Sequence, residues 1–343
     1  MAKPSHFPKL IETVSTDVLA HPEDLTKYYA DALGISRVAA NSYVQRLEKE
    51  GWLARSGPKT RPTFSLGFKR QVFKTYAIAG LEEHIVWEQD FSPYFNLTGN
   101  VSRIVHHGFT EMLNNAIDHS AGKLVQILVE QDKDKLFIVL SDDGIGIFEK
   151  ITHALGLPDK RLALFELSKG KFTTDPSKHS GEGIFFTSRI FDFFAILANK
   201  LLFTHFDARK NDRIQSIEKN LVSGTVVMMD IALNSLRTSA EVFNSYTEAP
   251  EDYDFSRTVV QMRLAAYGDD LLVSRSQAKR IVARFEKFKI VELDFTGVEE
   301  IGQAFADELF RVYANEHPAV NLEPKNMTRQ VERMYLRAMS PRI

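Results

Sequence analysis

Three polar side chains recur at helical spacing in one short segment of the sequence, FTEMLNNAIDHS, residues 109–120. Glu111, Asn115 and Asp118 are four and three positions apart, so on a helix they share one stripe. Phe109 and its apolar neighbours cover the adjacent stripe and would bury it. A carboxylate and an amide beside a packed face are typical of a helix that lines a cleft, although a solvated helix face gives the same pattern.

A second polar group follows a segment with the pattern of a buried strand. Lys123–Gln131 alternates like a strand, and Leu136–Leu140 is continuously apolar. Asp142, Gly144 and Gly146 come next as a D-x-G-x-G motif. The motif places a carboxylate at a strand end, and its glycines permit positive φ and a close approach of a ligand to the backbone. A hairpin turn is the structural alternative, because Asp-Gly is a common turn pair.

The third group is a pair of glycines ahead of an apolar segment. Lys169–Ser180 is polar, and Gly181 and Gly183 follow it before apolar residues that predict a helix from about 184 to 198. Glycines before a helix N-terminus expose free N–H groups at the positive end of the dipole, which suits a phosphate chain. An ordinary loop is the alternative. Gly224–Leu233 then predicts a closing strand that begins with a Gly-Thr pair.

In this order, the segments resemble the GHKL (Bergerat-fold) ATPases, which include sensor histidine kinases, type II topoisomerases and anti-sigma-factor serine kinases. The resemblance covers roughly residues 101–233. It implies that ATP and Mg²⁺ are bound, with Asn115 as the metal ligand and Glu111 as the water-polarising or proton-accepting carboxylate. Mg²⁺ needs oxygen ligands, and an Asn carbonyl supplies one without adding negative charge.

The same resemblance implies the other nucleotide contacts. Asp142 would accept the adenine amino group, with Thr225 assisting through its hydroxyl and a water. Gly144 and Gly146 would allow close approach around the adenine. A lid of about residues 169–180 and the second glycine pair would hold the phosphates and neutralise their charge; the residues assigned here are Lys171, Gly181 and Gly183.

Within the family, the helix motif is most similar to that of anti-sigma-type kinases. Their first motif also runs E-x-x-x-N-A, followed by a short apolar step and a histidine. Glu111, Asn115, Ala116 and His119 repeat that pattern here. The resemblance therefore implies, as one alternative, a protein serine/threonine kinase that acts on a partner protein.

The N-terminal region resembles a winged helix-turn-helix over roughly the first 70 residues. Apolar residues over 25–33 recur at helical spacing, Gly34 ends that helix, and Ser36 can cap a second helix over 38–49. WLARSGPKTRPTFSLG predicts two short strands around a Gly-Pro turn. Every charged residue from 52 to 74 is basic, which suits contacts with DNA phosphates.

Candidate DNA contacts lie on the second helix and on the hairpin of this region. A winged helix that serves protein contacts or dimerisation is the alternative, so a regulatory protein partner and a homodimer are further candidates. The helix residues would face the major groove and the hairpin residues the phosphates: Arg37, Asn41, Arg55, Lys59 and Arg61.

The C-terminal region alternates helices and strands in the order of the STAS-like domains, relatives of anti-anti-sigma factors. Ser274 could cap a helix over 275–285, and Lys289–Gly297 predicts a buried strand. Those antagonists carry a phosphoacceptor Ser in the turn after the comparable strand. Here the turn reads IGQAF, residues 301–305, and has no hydroxyl. We therefore do not expect that phosphorylation switch. The domain would either keep a docking surface or engage the neighbouring ATPase in the same chain. Asp307, Glu308 and Arg311 on its last helix are expected to form a solvated face.

Composition limits the classes that remain. The chain has 343 residues, 44% hydrophobic residues, a formal net charge of -2 and no cysteine, which excludes disulfides, thiolate zinc sites and cysteine nucleophiles. No apolar run approaches the length of about 20 residues that a membrane span needs. The first residues, MAKPSHFPKL, lack the apolar stretch of a signal peptide. We expect a soluble cytoplasmic protein with no membrane partner.

The predicted fold class is a multidomain α+β protein: a winged helix, then a GHKL α/β sandwich with a mixed sheet and helices on one face, then a STAS-like α/β domain. The predicted boundaries are 1–75, 76–237 and 258–343, with a linker over 238–257. The predicted function is an ATP-dependent switch that controls transcription. A protein kinase and a non-catalytic DNA-binding scaffold are the alternatives.

Overall fold

The computed structural model describes residues 6–173, 181–207, 211–217, 222–248, 254–266 and 271–340. Residues 174–180 of the predicted lid and 249–253 of the predicted linker lie outside this part of the chain. The chain divides into two compact units. Unit 1 contains residues 1–146, 191–196 and 222–236, and unit 2 contains the rest. None of the helices in the described ranges is long and apolar enough to cross a membrane.

Unit 1 begins with three helices and a hairpin, α1 (Phe7–Ala20), α2 (Leu25–Leu33), α3 (Arg37–Lys49), β1 (Leu53–Ser56) and β2 (Thr63–Leu66). Gly34 ends α2 in the left-handed conformation, and the Ser36 hydroxyl accepts the Ala39 N–H at the start of α3, so the predicted cap is confirmed. β1 and β2 pair antiparallel. One apolar cluster, which includes Val14, Tyr29 and Leu47, joins the three helices.

The rest of unit 1 is a sheet with a long helix. Its strands follow the order β3-β4-β5-β9-β6, and β6 belongs to this unit up to Ile196. β5 pairs antiparallel with both β4 and β9, which places the end of β5 beside the start of β9. The elements are β3 (Arg70–Ala77), α4 (Glu83–Ile85), a π-helical turn (Val86–Phe91), a 3-10 turn (Ser92–Tyr94), α5 (Gly99–His119), β4 (Leu124–Gln131), β5 (Lys135–Asp142), β6 (Phe193–Ala198) and β9 (Thr225–Ala232).

The helix α5 buries one face, as its apolar spacing predicts. Phe109 and Leu113 are fully buried, and the Phe109 ring lies 4.9 Å from the Trp87 ring and 5.3 Å from the Phe91 ring. Burial of side chains of this size stabilises a helix by about 1.5–3 kcal/mol each. The opposite stripe, with Glu111 and Asn115, stays half-buried and is available for polar contacts.

Unit 2 combines helices with a hairpin and a parallel sheet. β7 and β8 pair antiparallel, while β10, β11 and β12 form a three-stranded parallel sheet. Its elements are α6 (Ile147–Leu155), α7 (Lys160–Lys169), α8 (Gly183–Ile190), β7 (Leu201–Phe206), β8 (Asn211–Ser216), α9 (Ser239–Asn244), β10 (Arg257–Gln261), α10 (Met262–Ala265), α11 (Arg275–Val282), a 3-10 turn (Phe285–Lys287), β11 (Ile290–Asp294), α12 (Gln303–Ala306), a π-helical segment (Asp307–Tyr313), α13 (Ala314–Glu316), β12 (Asn321–Lys325) and α14 (Arg329–Met339).

One apolar core runs through unit 2. Phe165 of α7 and Phe185 of α8 belong to the same cluster as the buried residues of the parallel sheet and its helices. The Phe185 ring lies 4.7 Å from the Phe255 ring, and the Phe255 ring lies 5.3 Å from the Phe288 ring. α7 and α8 therefore pack as part of the C-terminal core.

Two sequence predictions fail at particular residues. The helix predicted from about 184 to 198 ends at Ile190, and Phe193–Ala198 forms the strand β6. Asp307 and Glu308, which the sequence places on a solvated helix face, are only 5% and 7% exposed. Arg311 binds the Asp307 carboxylate with both Nε and Nη2, at 2.6 and 2.8 Å, so the buried charge is paired.

Candidate functional site

Asp142 stands at the end of β5 with its side chain 8% exposed. Its Oδ1 accepts the Gly144 N–H at 2.9 Å and the Thr225 N–H at 3.2 Å, and the Thr225 hydroxyl also hydrogen-bonds the carboxylate. A carboxylate offers about four acceptor positions. The hydrogen bonds from Gly144 and Thr225 fill three of them, so they leave the carboxylate below its full acceptor capacity.

Burial raises the pKa of the Asp142 carboxyl, against the opposing effect of the hydrogen bonds from Gly144 and Thr225. Its neighbour Asp143 behaves differently, because its side chain is exposed and the Leu124 and Lys123 N–H groups hold its pKa below the usual range. Asp143 Oδ1 accepts these two N–H groups at 2.9 and 2.6 Å. Asp143 therefore fixes the backbone, while Asp142 presents the buried acceptor.

The glycines around Asp142 are needed for two different reasons. A Cβ on Gly144 would lie 2.0 Å from the Ser120 carbonyl oxygen, so the close approach there is to the protein's own backbone. Gly146 has φ +84°, a conformation that favours glycine. Gly224 has φ +79°, and a Cβ on it would lie 2.5 Å from Asp142 Oδ1. Gly224 is not among the predicted site residues, although it belongs to the Gly-Thr pair at the start of β9.

Glu111 and Asn115 occupy successive turns of α5. The Asn115 amide nitrogen donates to the Glu111 carbonyl at 2.8 Å, which directs the amide oxygen away from the helix backbone. Neither that oxygen nor the Glu111 carboxylate has a hydrogen-bond or ion-pair partner among the described residues. One neutral oxygen donor fits Mg²⁺, which commonly takes one or two protein ligands and fills the rest with water and phosphate oxygens.

Ser120 connects α5 to the Asp142 turn. Its carbonyl accepts the Ile145 N–H at 3.0 Å, and its hydroxyl accepts the Gly122 N–H at 2.9 Å. Ser120 is buried. The C-terminal end of α5 is thereby held against the D-x-G-x-G turn, so the structure brings two of the sequence-predicted groups together within unit 1.

The other predicted nucleotide contacts belong to unit 2. Gly181 has φ +75°, its carbonyl accepts the Phe172 N–H at 3.1 Å, and a Cβ on it would lie 2.4 Å from the Phe172 carbonyl carbon. Gly183 is the first residue of α8. Lys171 directs its ammonium to the Asp254 carboxylate and the Lys287 carbonyl, each at 3.3 Å. A phosphate role for these three residues stays a prediction.

The candidate DNA-contacting residues lie on the surface of unit 1. Arg37 and Asn41 are exposed on α3, next to Val38, whose side chain is 82% exposed. Lys59 and Arg61 are exposed in the turn between β1 and β2. Arg55 already has partners within the protein, because its Nη2 donates to the Lys59 carbonyl at 3.4 Å and its Nη1 lies 4.0 Å from the Glu48 carboxylate.

Comparison with known families supports two of the three predicted modules. Residues 100–190 match the family described as "Histidine kinase-, DNA gyrase B-, and HSP90-like ATPase". Residues 277–332 match the family described as "STAS-like domain of unknown function (DUF4325)". The chain therefore contains a GHKL-type ATPase domain, which implies ATP binding, and a STAS-like domain, while the winged helix stays a prediction. No curated protein matches the chain significantly.

Proposed function

We propose that this protein binds Mg·ATP through its GHKL-type domain and uses that binding to switch the occupancy of DNA by its N-terminal region. The observation that carries the proposal is the Asp142 carboxylate, which is buried within the family match and accepts three hydrogen bonds from the protein where a carboxylate can accept about four. An amino group such as that of adenine fills such a position. Thr225 would assist at the adenine, and Asn115 would ligate the magnesium ion.

When bound, the magnesium ion would neutralise phosphate charge and orient the triphosphate. The residues of the chain have separate tasks around it. In unit 1, Asn115 would supply a neutral oxygen ligand and Glu111 a carboxylate that can orient a water or take a proton. In unit 2, Gly181 and Gly183 would supply backbone N–H groups to phosphate oxygens.

Calorimetric titration of the full chain tests the proposal directly. We expect ATP to bind more tightly with Mg²⁺ than with EDTA, and GTP to bind more weakly than ATP. Linkage adds a second requirement, because the factor by which ATP changes DNA affinity must equal the factor by which DNA changes ATP affinity. Absence of Mg-dependent ATP binding would instead favour a DNA-binding scaffold, and ATP binding without this coupling would contradict the switch.

The DNA part of the proposal rests on the exposed basic residues of α3 and the hairpin. We expect Arg37→Ala to weaken DNA binding by about 10- to 100-fold, as for a residue that reads a base. Arg61→Ala should weaken binding to all sequences and reduce the salt dependence by about one charge. Lys49→Ala, an exposed lysine at the end of α3, is the control. If both arginine variants shift DNA like the wild type, this region serves a protein partner.

A kinase acting on a partner protein is a second candidate, favoured by the Glu111 carboxylate, for which the described part of the chain offers no ion-pair partner. We expect Glu111→Ala to leave the ATP affinity within about twofold and to lower ADP formation by about 100- to 10,000-fold, the typical contribution of a general base. Labelled phosphate recovered on a second protein would identify a kinase, and release as free phosphate an ATPase. Asp118→Asn, on the same stripe, is the matched control, and equal turnover in wild type and Glu111→Ala would remove Glu111 from the chemistry.

A further inference from the structure

A buried ion network joins α7 to the segment that follows α11, within unit 2. Lys169 is fully buried, and its Nζ lies 2.6 Å from Glu166 Oε1 and 2.9 Å from the Ala283 carbonyl oxygen. Arg284 Nη1 lies 2.9 Å from Glu166 Oε2. Each carboxylate oxygen of Glu166 therefore binds one cation. Burial lowers the pKa of Lys169 to about 8, while Glu166 acts in the opposite direction.

The same arginine holds the backbone just beyond α7. Arg284 Nη2 donates to the Gly170 carbonyl at 3.0 Å and to the Lys171 carbonyl at 2.6 Å. The planar guanidinium can make these bonds and the Glu166 bond at once, which a lysine ammonium on a flexible stem cannot reproduce. The segment that leaves α7 is thus fixed by one side chain from the STAS-like domain, within residues 277–332.

Two residues in this contact have an unfavourable backbone conformation. Lys171 has φ +50° and Arg284 has φ +69°, although neither is a glycine. Such conformations persist where surrounding contacts determine them, and they concentrate at functional sites. Here the two residues are bonded to each other through Arg284 Nη2 and the Lys171 carbonyl. The hydrogen bonds of Arg284 hold this geometry in place.

The fixed segment leads directly to the second glycine pair. Phe172, next to Lys171, donates its N–H to the Gly181 carbonyl, and Gly181 leaves no space for a Cβ against the Phe172 backbone. Gly183 then starts α8. The Lys171 ammonium also lies over the Phe255 and Phe288 rings, at 5.6 and 5.4 Å from their centroids. A displacement of the segment would therefore displace Gly181.

We propose that Arg284 of the STAS-like domain is a positioning residue for the phosphate end of the nucleotide site, acting through the backbone of Gly170–Phe172 on Gly181. This inference rests on the proposed function, since it assumes that Gly181 and Gly183 contact the triphosphate. It assigns to the STAS-like domain an influence on triphosphate affinity that does not require a phosphoacceptor serine. We expect base recognition by Asp142, which belongs to unit 1, to be unaffected by a change at Arg284.

The test compares ATP with adenosine, which has the same base and no phosphates. For Arg284→Met we expect the Kd for Mg·ATP to rise about tenfold or more, and the Kd for adenosine to stay within about twofold of the wild type. Arg257→Met is the matched control, because Arg257 is likewise ion-paired in unit 2, with Glu292 and Glu323, and its substitution should change neither Kd. Retained adenosine binding shows that unit 1 is folded, and a near-ultraviolet circular dichroism spectrum like that of the wild type shows that the aromatic core of unit 2 is intact.

Arg284→Gly provides a second variant that removes the side chain while relieving the left-handed backbone. It should reproduce the loss of ATP affinity, with adenosine affinity again retained. ATP affinity equal to that of the wild type in both variants would overturn the inference, and so would a proportional loss of adenosine and ATP. If the wild type binds neither ligand, the proposed function itself fails, which is a different result from an unchanged variant.

Discussion

Asp142→Asn should weaken ATP binding by about 100-fold and reverse the preference between ATP and GTP. The asparagine oxygen can still accept the Gly144 and Thr225 N–H groups, and its amide nitrogen can donate to the Thr225 hydroxyl. The remaining position then carries a donor instead of an acceptor. Adenine presents an amino donor and guanine a carbonyl acceptor at the equivalent position of the ring. A lost hydrogen bond to a charged group costs about 1.5–3 kcal/mol, and a loss of about 100-fold in affinity corresponds to about 2.7 kcal/mol.

Calorimetry with ATP and GTP measures both affinities, and Asp143→Asn is the control. Asp143 is the adjacent carboxylate, its side chain is exposed, and its hydrogen bonds go to the Lys123 and Leu124 N–H groups. Asp143→Asn should therefore leave the ratio of the ATP and GTP affinities nearly unchanged. An Asp142→Asn variant that keeps the wild-type preference for ATP would show that Asp142 does not read the base.

Asp142→Asn should also change how the stability of the protein depends on pH. Because burial raises the folded-state pKa of Asp142 above its ordinary value of 3.8, the folded protein takes up this proton before the unfolded protein as the pH falls. The stabilising contribution of this protonation to the free energy of unfolding is fully present below pH 3.8. It is lost as the pH rises through the raised pKa of the folded state. At neutral pH the neutral Asn variant should therefore be no less stable than the wild type. Denaturant unfolding at neutral and acidic pH measures that difference.

Asn115→Ala should abolish the magnesium dependence of ATP binding. The side chain is the neutral oxygen donor on the polar stripe of α5, and alanine removes it without disturbing the buried face formed by Phe109 and Leu113. The ratio of the Kd in EDTA to the Kd in Mg²⁺ should fall to about one. Alanine also has a higher helix propensity than asparagine, by roughly 0.5 kcal/mol, so α5 should stay folded.

Asn114→Ala is the matched control for this variant. Asn114 is the same residue type, half-buried like Asn115, and one position along the helix, so it faces about 100° away. It should keep the full magnesium dependence. A wild-type magnesium response in Asn115→Ala would assign the metal ligand elsewhere in the chain.

Local patterns predicted several elements of the GHKL-type domain. The alternation of β4, the apolar run of β5 and the polar stripe of α5 each depend on neighbours within one element, so periodicity predicts them. The caps at Ser36 and Ser274 are equally local. Their hydroxyls accept backbone N–H groups in the first turn of the helix, from Ala39 and Gln277. The resemblance to two domain families came from the order of these elements and is confirmed for residues 100–190 and 277–332.

Two predictions failed for different reasons, and the first concerns an apolar run that does not reveal its period. Phe193–Ala198 is apolar at nearly every position, and such a run fits a buried helix as well as a buried strand. Pairing of β6 in the sheet beside β9 decides for the strand. Asp307 and Glu308 were assigned to solvent because carboxylates usually lie there. Arg311, Arg275 and Lys279 supply the positive charges that allow both to be buried.

By itself, the sequence determined which residues could contact a nucleotide, since Asp142, Asn115 and the glycines stand in motifs whose spacing is local. Only the tertiary structure decided which residues hold the backbone before Gly181. Arg284 and Glu166 lie 118 positions apart, and no periodicity connects them. Their pairing exists because α7 packs into the core of the STAS-like domain, where burial makes an unpaired charge costly and a paired one specific.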